Sequence, residues 1–147
     1  MRSYIKGVRV LSAEELERLN PVPDRTGSRV RFLLDGGLRA DYGERLCVCG
    51  LSGLKVESEI EHGVRSYHSR LRCRVYGGGD VRFGGRYGLL LEDTNGGLYL
   101  LGLPWGPLVR ERLELESPER SSESVRDVLE FSWRGLYAPL LVMGGEI

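Results

Sequence analysis

The sequence predicts a mainly β fold: a small closed or partly open antiparallel barrel with one short helix near the N-terminus. Glycine accounts for 21 of the 147 residues, about twice its usual share, and each glycine inside a helix costs about 1 kcal/mol. Segments in which apolar and polar residues alternate are separated by glycine-rich turns, which is the pattern of short antiparallel strands. The length suits one domain with its own hydrophobic core, so residues 1–147 are expected to form a single domain.

The first predicted element is a short helix within residues 11–19. Ser12 is a favourable N-cap, and Glu15 follows three residues later, which is the spacing of a capping box. Leu16 and Leu19 give the helix an apolar stripe. The prolines in residues 20–24 end it, because proline cannot continue a helix.

Alternation predicts a series of short strands along the middle of the chain. Segment 87–91 is apolar on both faces and is therefore expected at the centre of the sheet or inside the barrel. The Asn95-Gly96 pair favours a tight turn after it. The predicted strands cover residues 29–34, 38–42, 45–49, 54–60, 67–76, 87–91, 98–103 and 108–115, and glycines at 36–37, 77–79 and 96–97 mark turns.

The tail, residues 118–147, is expected to form an appendage packed on the barrel, and its pattern allows two structures. Val125, Leu129 and Trp133 have helical spacing, which favours a C-terminal helix. Leu129, Phe131 and Trp133 also alternate with polar residues, as they would in a strand. We favour the helix at this point and keep the strand as the alternative.

Charge is balanced overall but unevenly distributed. The 21 basic and 21 acidic residues cancel, which argues against a wholly basic nucleic-acid coat protein and allows a local basic face. Segment 63–88 holds six arginines and one acidic residue, a net charge of +5, whereas segment 111–130 holds seven acidic and three basic residues, a net charge of −4. Arginine greatly outnumbers lysine, which fits either a thermophile or GC-rich coding.

The strand after Tyr67 carries the candidate binding residues. In a strand, residues of one parity share a face, so its arginines project together with a histidine and a tyrosine. Arginine forks onto phosphate and aromatic rings stack on bases, which predicts a surface for nucleic acid or an acidic partner. The alternative is a solvated face whose arginines pair with the acidic C-terminal segment. The predicted binding residues are His68, Arg70, Arg72, Arg74, Tyr76, Arg82 and Arg86.

The sequence contains no complete catalytic or metal-binding motif. Cys47 and Cys49 have C-x-C spacing, which is not the spacing of structural zinc sites, and neither histidine lies in a recognisable motif. The glycine runs are followed by no Gly-Lys-Ser/Thr. We therefore predict no catalytic residue, metal or cofactor. An enzyme or metal protein built on Cys47, Cys49, Cys73 and the two histidines is the last alternative.

Localisation is predicted from the N-terminus and the apolar runs. The first residues contain no apolar signal segment, and no apolar run reaches the ~18–20 residues of a membrane span. An odd number of cysteines argues against a secreted disulfide scaffold. A soluble cytoplasmic protein with no membrane partner is expected.

Three segments, 30–35, 43–49 and 87–91, resemble the small OB-fold subunit of the eighth type in archaeal and eukaryotic RNA polymerases. In that family an early apolar strand precedes a strand opened by a glycine or charged turn, and a late strand reads aromatic-Gly-Leu-Leu, as residues 87–90 do here. The resemblance spans about residues 28–115, and the tail extends past the usual end of the family. It implies an OB-like barrel that is a non-catalytic accessory subunit in transcription, docked on the largest polymerase subunit. The alternative is an independent protein that binds single-stranded DNA or RNA.

Overall fold

The chain forms one curled β-sheet with a short helix packed on it. The computed structural model describes residues 2–19, 22–24, 31–33, 43–76, 84–114 and 126–143. The elements in these ranges are β1 (Arg2–Ser12), α1 (Ala13–Leu19), β2 (Val22–Asp24), β3 (Arg31–Leu33), β4 (Glu44–Arg45), β5 (Ser52–Glu61), β6 (Val64–Tyr76), β7 (Tyr87–Asp93), β8 (Leu98–Leu101), β9 (Arg110–Glu114), β10 (Arg126–Gly135) and β11 (Leu140–Met143). The prediction of a mainly β fold is confirmed.

The strands follow the order β2-β3-β11-β8-β7-β1-β5-β6-β10-β9 across the sheet. Neighbours are antiparallel except for β3 and β11, which are parallel. The long β1 pairs with β7 along one edge and with β5 and β4 along the other. Within the described ranges no ladder joins β9 to β2, so the sheet is open, as the partly open alternative predicted.

The sheet curls strongly enough for distant strands to meet across the core. Tyr87 lies on β7 and Phe131 on β10, with three strands between them in the sheet order, yet their ring centroids are 6.3 Å apart. The Tyr87 hydroxyl also donates a 2.5 Å hydrogen bond to Glu111 of β9. Among the described residues, Phe131 and Trp133 have the largest fully buried side chains, so the centre of the core lies against β10.

Helix α1 covers the second face of β7. The predicted capping box is confirmed, because the Ser12 amide donates to Glu15 and the Glu15 amide donates to the Ser12 hydroxyl, at 3.1 and 3.2 Å. Leu16 and Leu19 are buried. Leu16 lies so close to Gly88 that a β-carbon there would be 2.7 Å from a Leu16 methyl group. This packing explains why β7 is buried on both faces, as its sequence predicted.

Strands β5 and β6 form a long hairpin that extends beyond the core. His62 and Gly63 make a two-residue turn with φ of 50° and 77°, the left-handed conformation that type I′ turns require. The cross-strand pair of Leu54 and Leu71 is buried, whereas the residues from Glu57 to the turn are exposed. The predicted strands over 54–60 and 67–76 are confirmed and are longer than expected.

The favoured C-terminal helix is wrong for residues 126–135, which form strand β10. Leu129, Phe131 and Trp133 point into the core, and the full-length pairing of β10 with β6 satisfies its backbone. Strands β10 and β11 both lie inside the sheet order, so residues 126–143 are an integral part of the sheet.

Some predicted strands differ in extent from the observed elements. The strand predicted over 45–49 is reduced to β4 and a single bridge between Val48 and Val75. The turn at 35–37 and the strand at 38–42 lie outside the described residues, as does the turn at 77–79.

Candidate nucleic-acid interface

Four neighbouring strands, β5, β6, β10 and β9, present one solvent-facing surface, which we call the outer face. On β6, Leu71 and Cys73 are buried in the core, whereas Arg70, Arg72 and Arg74 are exposed. The alternation predicted for this strand is therefore confirmed, and three guanidinium groups project from the outer face.

The other predicted residues lie in several places. His68 is half-buried on the outer face, two residues before Arg70 on the same face of β6. Tyr76 is the last residue of β6, and Arg82 lies outside the described residues. Arg86 precedes β7, which is three positions from β6 in the sheet order.

Arg86 supports the fold in its own part of the molecule. Its guanidinium donates hydrogen bonds of 3.1 and 3.0 Å to the carbonyl oxygens of Leu103 and Gly106. These contacts hold the turn that follows β8 against the start of β7. The structure therefore does not bring Arg86 together with the arginines of β6.

Neighbouring strands add three arginines to the outer face that sequence reasoning did not include. Strand β10 places Arg134 opposite His68, and β9 places Arg110 and Arg112 on the far side of β10. Strand alternation within 108–115 would have placed the two β9 residues on one face, and the strand alternative for the tail would have added Arg134. We give the name arginine face to Arg70, Arg72, Arg74, Arg110, Arg112 and Arg134, all of which are exposed.

Two carboxylates of the acidic C-terminal segment lie among these arginines. Glu114 lies 2.7 Å from Arg112 and 3.8 Å from Arg72, and Glu130 lies in register between the same two arginines. Exposed ion pairs contribute only about 0–1 kcal/mol. Arg74 makes no ion pair with any residue that the structure describes. The described part of the acidic segment thus balances only part of the arginine face.

His68 lies between two guanidinium groups. Arg70 and Arg134 each place a terminal nitrogen near its Nδ1 atom, at 3.3 and 3.2 Å. Burial lowers the pKa of His68 below its usual value, and the charges of Arg70 and Arg134 lower this pKa further, against smaller opposing effects of Glu57 and Glu130. The imidazole is therefore neutral at pH 7.

A groove of about 280 Å³ runs beside His68 along the hairpin. Strand β5 contributes Glu57, Glu59 and Glu61 to it, and Arg70 and Arg134 line it from β6 and β10. Glu57 is paired with Lys55 at 2.8 Å, and this hydrogen bond is the main reason that the pKa of Glu57 is lowered. The groove is acidic toward the hairpin turn and basic toward the arginine face.

An exposed apolar patch lies at the end of β10. The rings of Trp105 and Tyr137 meet edge to face with centroids 5.8 Å apart. Trp105, Leu108 and Leu136 are 48%, 42% and 54% exposed. A patch of large apolar side chains is typical of a protein contact surface. Sequence reasoning did not identify it, since its members come from two separate segments.

The cysteines and histidines do not assemble into a metal site. Cys47 is exposed, Cys49 is half-buried and Cys73 is fully buried. Burial raises the pKa of the Cys73 thiol to about 11. The described part of the chain holds no group of three His, Cys, Asp or Glu side chains placed to hold a metal ion.

The helix in the described part of the chain has seven residues, which is too short to cross a membrane.

Comparison with known proteins gives no match for this chain, whether with protein-family models, with curated proteins or with solved structures. The outer face and the apolar patch are the two surfaces of the described residues that suggest a function.

Proposed function

We propose that this protein acts by binding and that its arginine face takes single-stranded nucleic acid. One observation carries the proposal: six guanidinium groups from three adjacent strands share an exposed surface, on which the described residues of these strands place two carboxylates. Strand β5 adds Glu57, Glu59 and Glu61 at the end of this surface that lies toward the hairpin turn. Arginine is weakly hydrated and forks onto phosphate oxygens, so such a surface binds a phosphate backbone without reading its sequence.

The spacing of the arginines supports a strand-like ligand. Alternate residues of a strand are about 6.6–6.8 Å apart, so Arg70, Arg72 and Arg74 form a row about 13 Å long. Arg110 and Arg112 form a parallel row two strands away. A flexible single strand can follow these rows and neutralise several arginines at once.

The test is the affinity for a labelled oligothymidylate of about 15 nucleotides, measured by fluorescence anisotropy. If six phosphates are neutralised, the logarithm of the association constant falls with that of the salt concentration with a slope of about −4. Between 50 and 200 mM salt the affinity then drops by about 250-fold.

Charge-reversal variants test whether the arginine face is the surface that binds the oligonucleotide. The triple variant R70E/R72E/R74E is expected to lose binding at 50 mM salt. The matched control R18E/R65E reverses exposed arginines on α1 and on the opposite side of β6, and it should bind like the original chain. Circular dichroism establishes that each variant is folded. Equal binding by the triple variant and the control would overturn the proposal.

A second candidate is an accessory subunit in transcription that docks on the largest subunit of an RNA polymerase. The apolar patch favours this role, because Trp105, Leu108 and Leu136 are exposed in one place. Affinity purification from the native host, with mass spectrometry of the captured chains, tests it. We expect polymerase chains with the original protein and a loss of them with W105S/L136S. The absence of polymerase chains in the first purification would contradict this role.

A further inference from the structure

Two arginines and one histidine converge on the outer face. Arg70 and Arg134 approach Nδ1 of His68 at 3.3 and 3.2 Å, from strands β6 and β10. Among the described residues no carboxylate oxygen lies within 4.0 Å of either guanidinium. The arrangement therefore brings two positive charges together, and the group between them is uncharged at pH 7.

Hydrogen bonding within the cluster leaves most donors unused. Arg70 also donates from Nε to Nε2 of His68 at 3.4 Å. A neutral imidazole accepts at only one of its two nitrogens, so His68 cannot satisfy all three guanidinium contacts. Each guanidinium has five N–H donors in a planar fork, which matches an oxyanion with two or more oxygens. An anion placed between the two arginines would satisfy both forks and cancel their repulsion.

The charged groups around His68 determine whether its surroundings are positive or negative. Strand β5 faces it with Glu57, and this carboxylate is paired with Lys55 at 2.8 Å. Glu59 lies two residues farther toward the hairpin turn, about 6.6–6.8 Å along the strand. On the other side, Glu130 lies four residues from Arg134 on β10, beside Arg72. The cations Arg70 and Arg134 are thus the charges nearest to the imidazole.

We propose that Arg70, His68 and Arg134 together bind one phosphodiester group of the nucleic acid, and that protonation of His68 strengthens this contact. This inference rests on the proposed function and names the part of the arginine face that recognises phosphate. A protonated ring donates at both nitrogens and accepts at neither, so it releases the arginines toward the ligand and adds a third donor.

The direction of the pH dependence follows from linkage. A bound phosphate stabilises imidazolium, so it raises the pKa of His68 from its lowered value in the free protein. Affinity therefore increases as the pH falls through the pKa of His68 in the complex, and it levels off below the pKa in the free protein. A unit charge about 4 Å from a phosphate in water corresponds to about a fivefold change in affinity. Glu57 stays ionised at pH 5, because its pKa is lowered.

The chain contains only two histidines, which makes the test direct. The ring resonances of His68 and His62 are followed by proton NMR between pH 5 and 8, with and without oligothymidylate. His62 lies in the exposed hairpin turn and is the internal control. We expect the pKa of His68 to rise by about half a unit or more on binding, while that of His62 stays unchanged.

Three variants separate this site from the rest of the arginine face. H68Q should bind as the original chain does at pH 8 and lose the gain in affinity that the original chain shows as the pH falls to 5. R134Q should reduce the rise in the His68 pKa and weaken binding several-fold at both pH values. R65Q, on the opposite side of β6, should change neither quantity.

The outcomes distinguish this inference from the proposed function. If oligothymidylate binds but the His68 pKa does not move and R134Q has no effect, the phosphate site is refuted and the binding function stands. If the oligonucleotide does not bind, the proposed function fails. In that case sodium sulfate replaces the oligonucleotide, and sodium chloride at the same ionic strength is the control. A rise in the pKa of His68 in sulfate would support the oxyanion site, and no rise would refute it.

Discussion

Removal of the Tyr87 hydroxyl tests whether the sheet curls as described. This hydroxyl joins β7 to β9 through its 2.5 Å hydrogen bond to Glu111, across strands that are not neighbours in the sheet. Tyr87 is 5% exposed, whereas Glu111 is exposed. In Y87F the carboxylate is left in contact with water, so only the hydrogen bond is lost. Burial and the adjacent Glu111 raise the pKa of Tyr87, so the hydroxyl stays protonated at neutral and mildly alkaline pH.

Hydrogen bonds to charged groups contribute about 1.5–3 kcal/mol, and the exposure of Glu111 places this one near the lower limit. We expect Y87F to lower the free energy of unfolding by about 1.5 kcal/mol and the Tm by about 5 °C. E111A leaves a buried hydroxyl without its acceptor and should cost about 2 kcal/mol. The double variant should cost little more than either single one, which gives a coupling energy of about 1.5 kcal/mol.

Urea denaturation followed by circular dichroism measures all three variants, with Y4F as the matched control, since Tyr4 is 68% exposed on β1. The control should unfold like the original chain. Additive effects of Y87F and E111A, with a coupling below about 0.3 kcal/mol, would mean that β9 does not fold over β7. The curled sheet would then be wrong.

Three further predictions concern stability and thiol reactivity. G88A should lower the Tm by several degrees, because the new β-carbon would lie 2.7 Å from Leu16 and displace α1; a Tm within 1 °C of the original would contradict this packing. S12A should cost about 1 kcal/mol in the same urea assay, as loss of an N-cap does, and S12T should restore most of it. At pH 8 an aromatic disulfide reagent should modify the exposed Cys47 rapidly and leave Cys73 unmodified until the protein unfolds. The reason is that Cys73 is buried and its thiol has a pKa of about 11. Rapid modification of all three thiols would refute the burial of Cys73.

Local patterns predicted the elements whose determinants lie close together in the chain. The capping box of α1 needs only Ser12 and Glu15, three residues apart, and the structure forms both of its hydrogen bonds. The row of arginines on β6 needs only strand alternation, which places Leu71 inside and Arg72 outside whatever the neighbouring strands are.

Long-range pairing decided what local patterns left open. In the tail, Leu129 and Trp133 satisfy both a helical and a strand period, and the choice is made by pairing with β6, which lies more than 50 residues earlier in the chain. Long-range strand pairing also determines which residues meet in the candidate site. Arg134 reaches His68 only because β10 is a strand in this register, so the sequence did not associate the two residues.

The late position of β10 in the chain has a consequence for synthesis on the ribosome. Phe131 and Trp133, the largest fully buried side chains, emerge after more than 125 residues have been made. Until then β6 has an unpaired edge, and Leu71 lacks its cross-strand neighbour Phe131. A nascent chain that stops before residue 126 therefore carries an open sheet edge beside apolar surface, which is the combination that leads to aggregation. We expect a chain truncated before residue 126 to accumulate in the insoluble fraction.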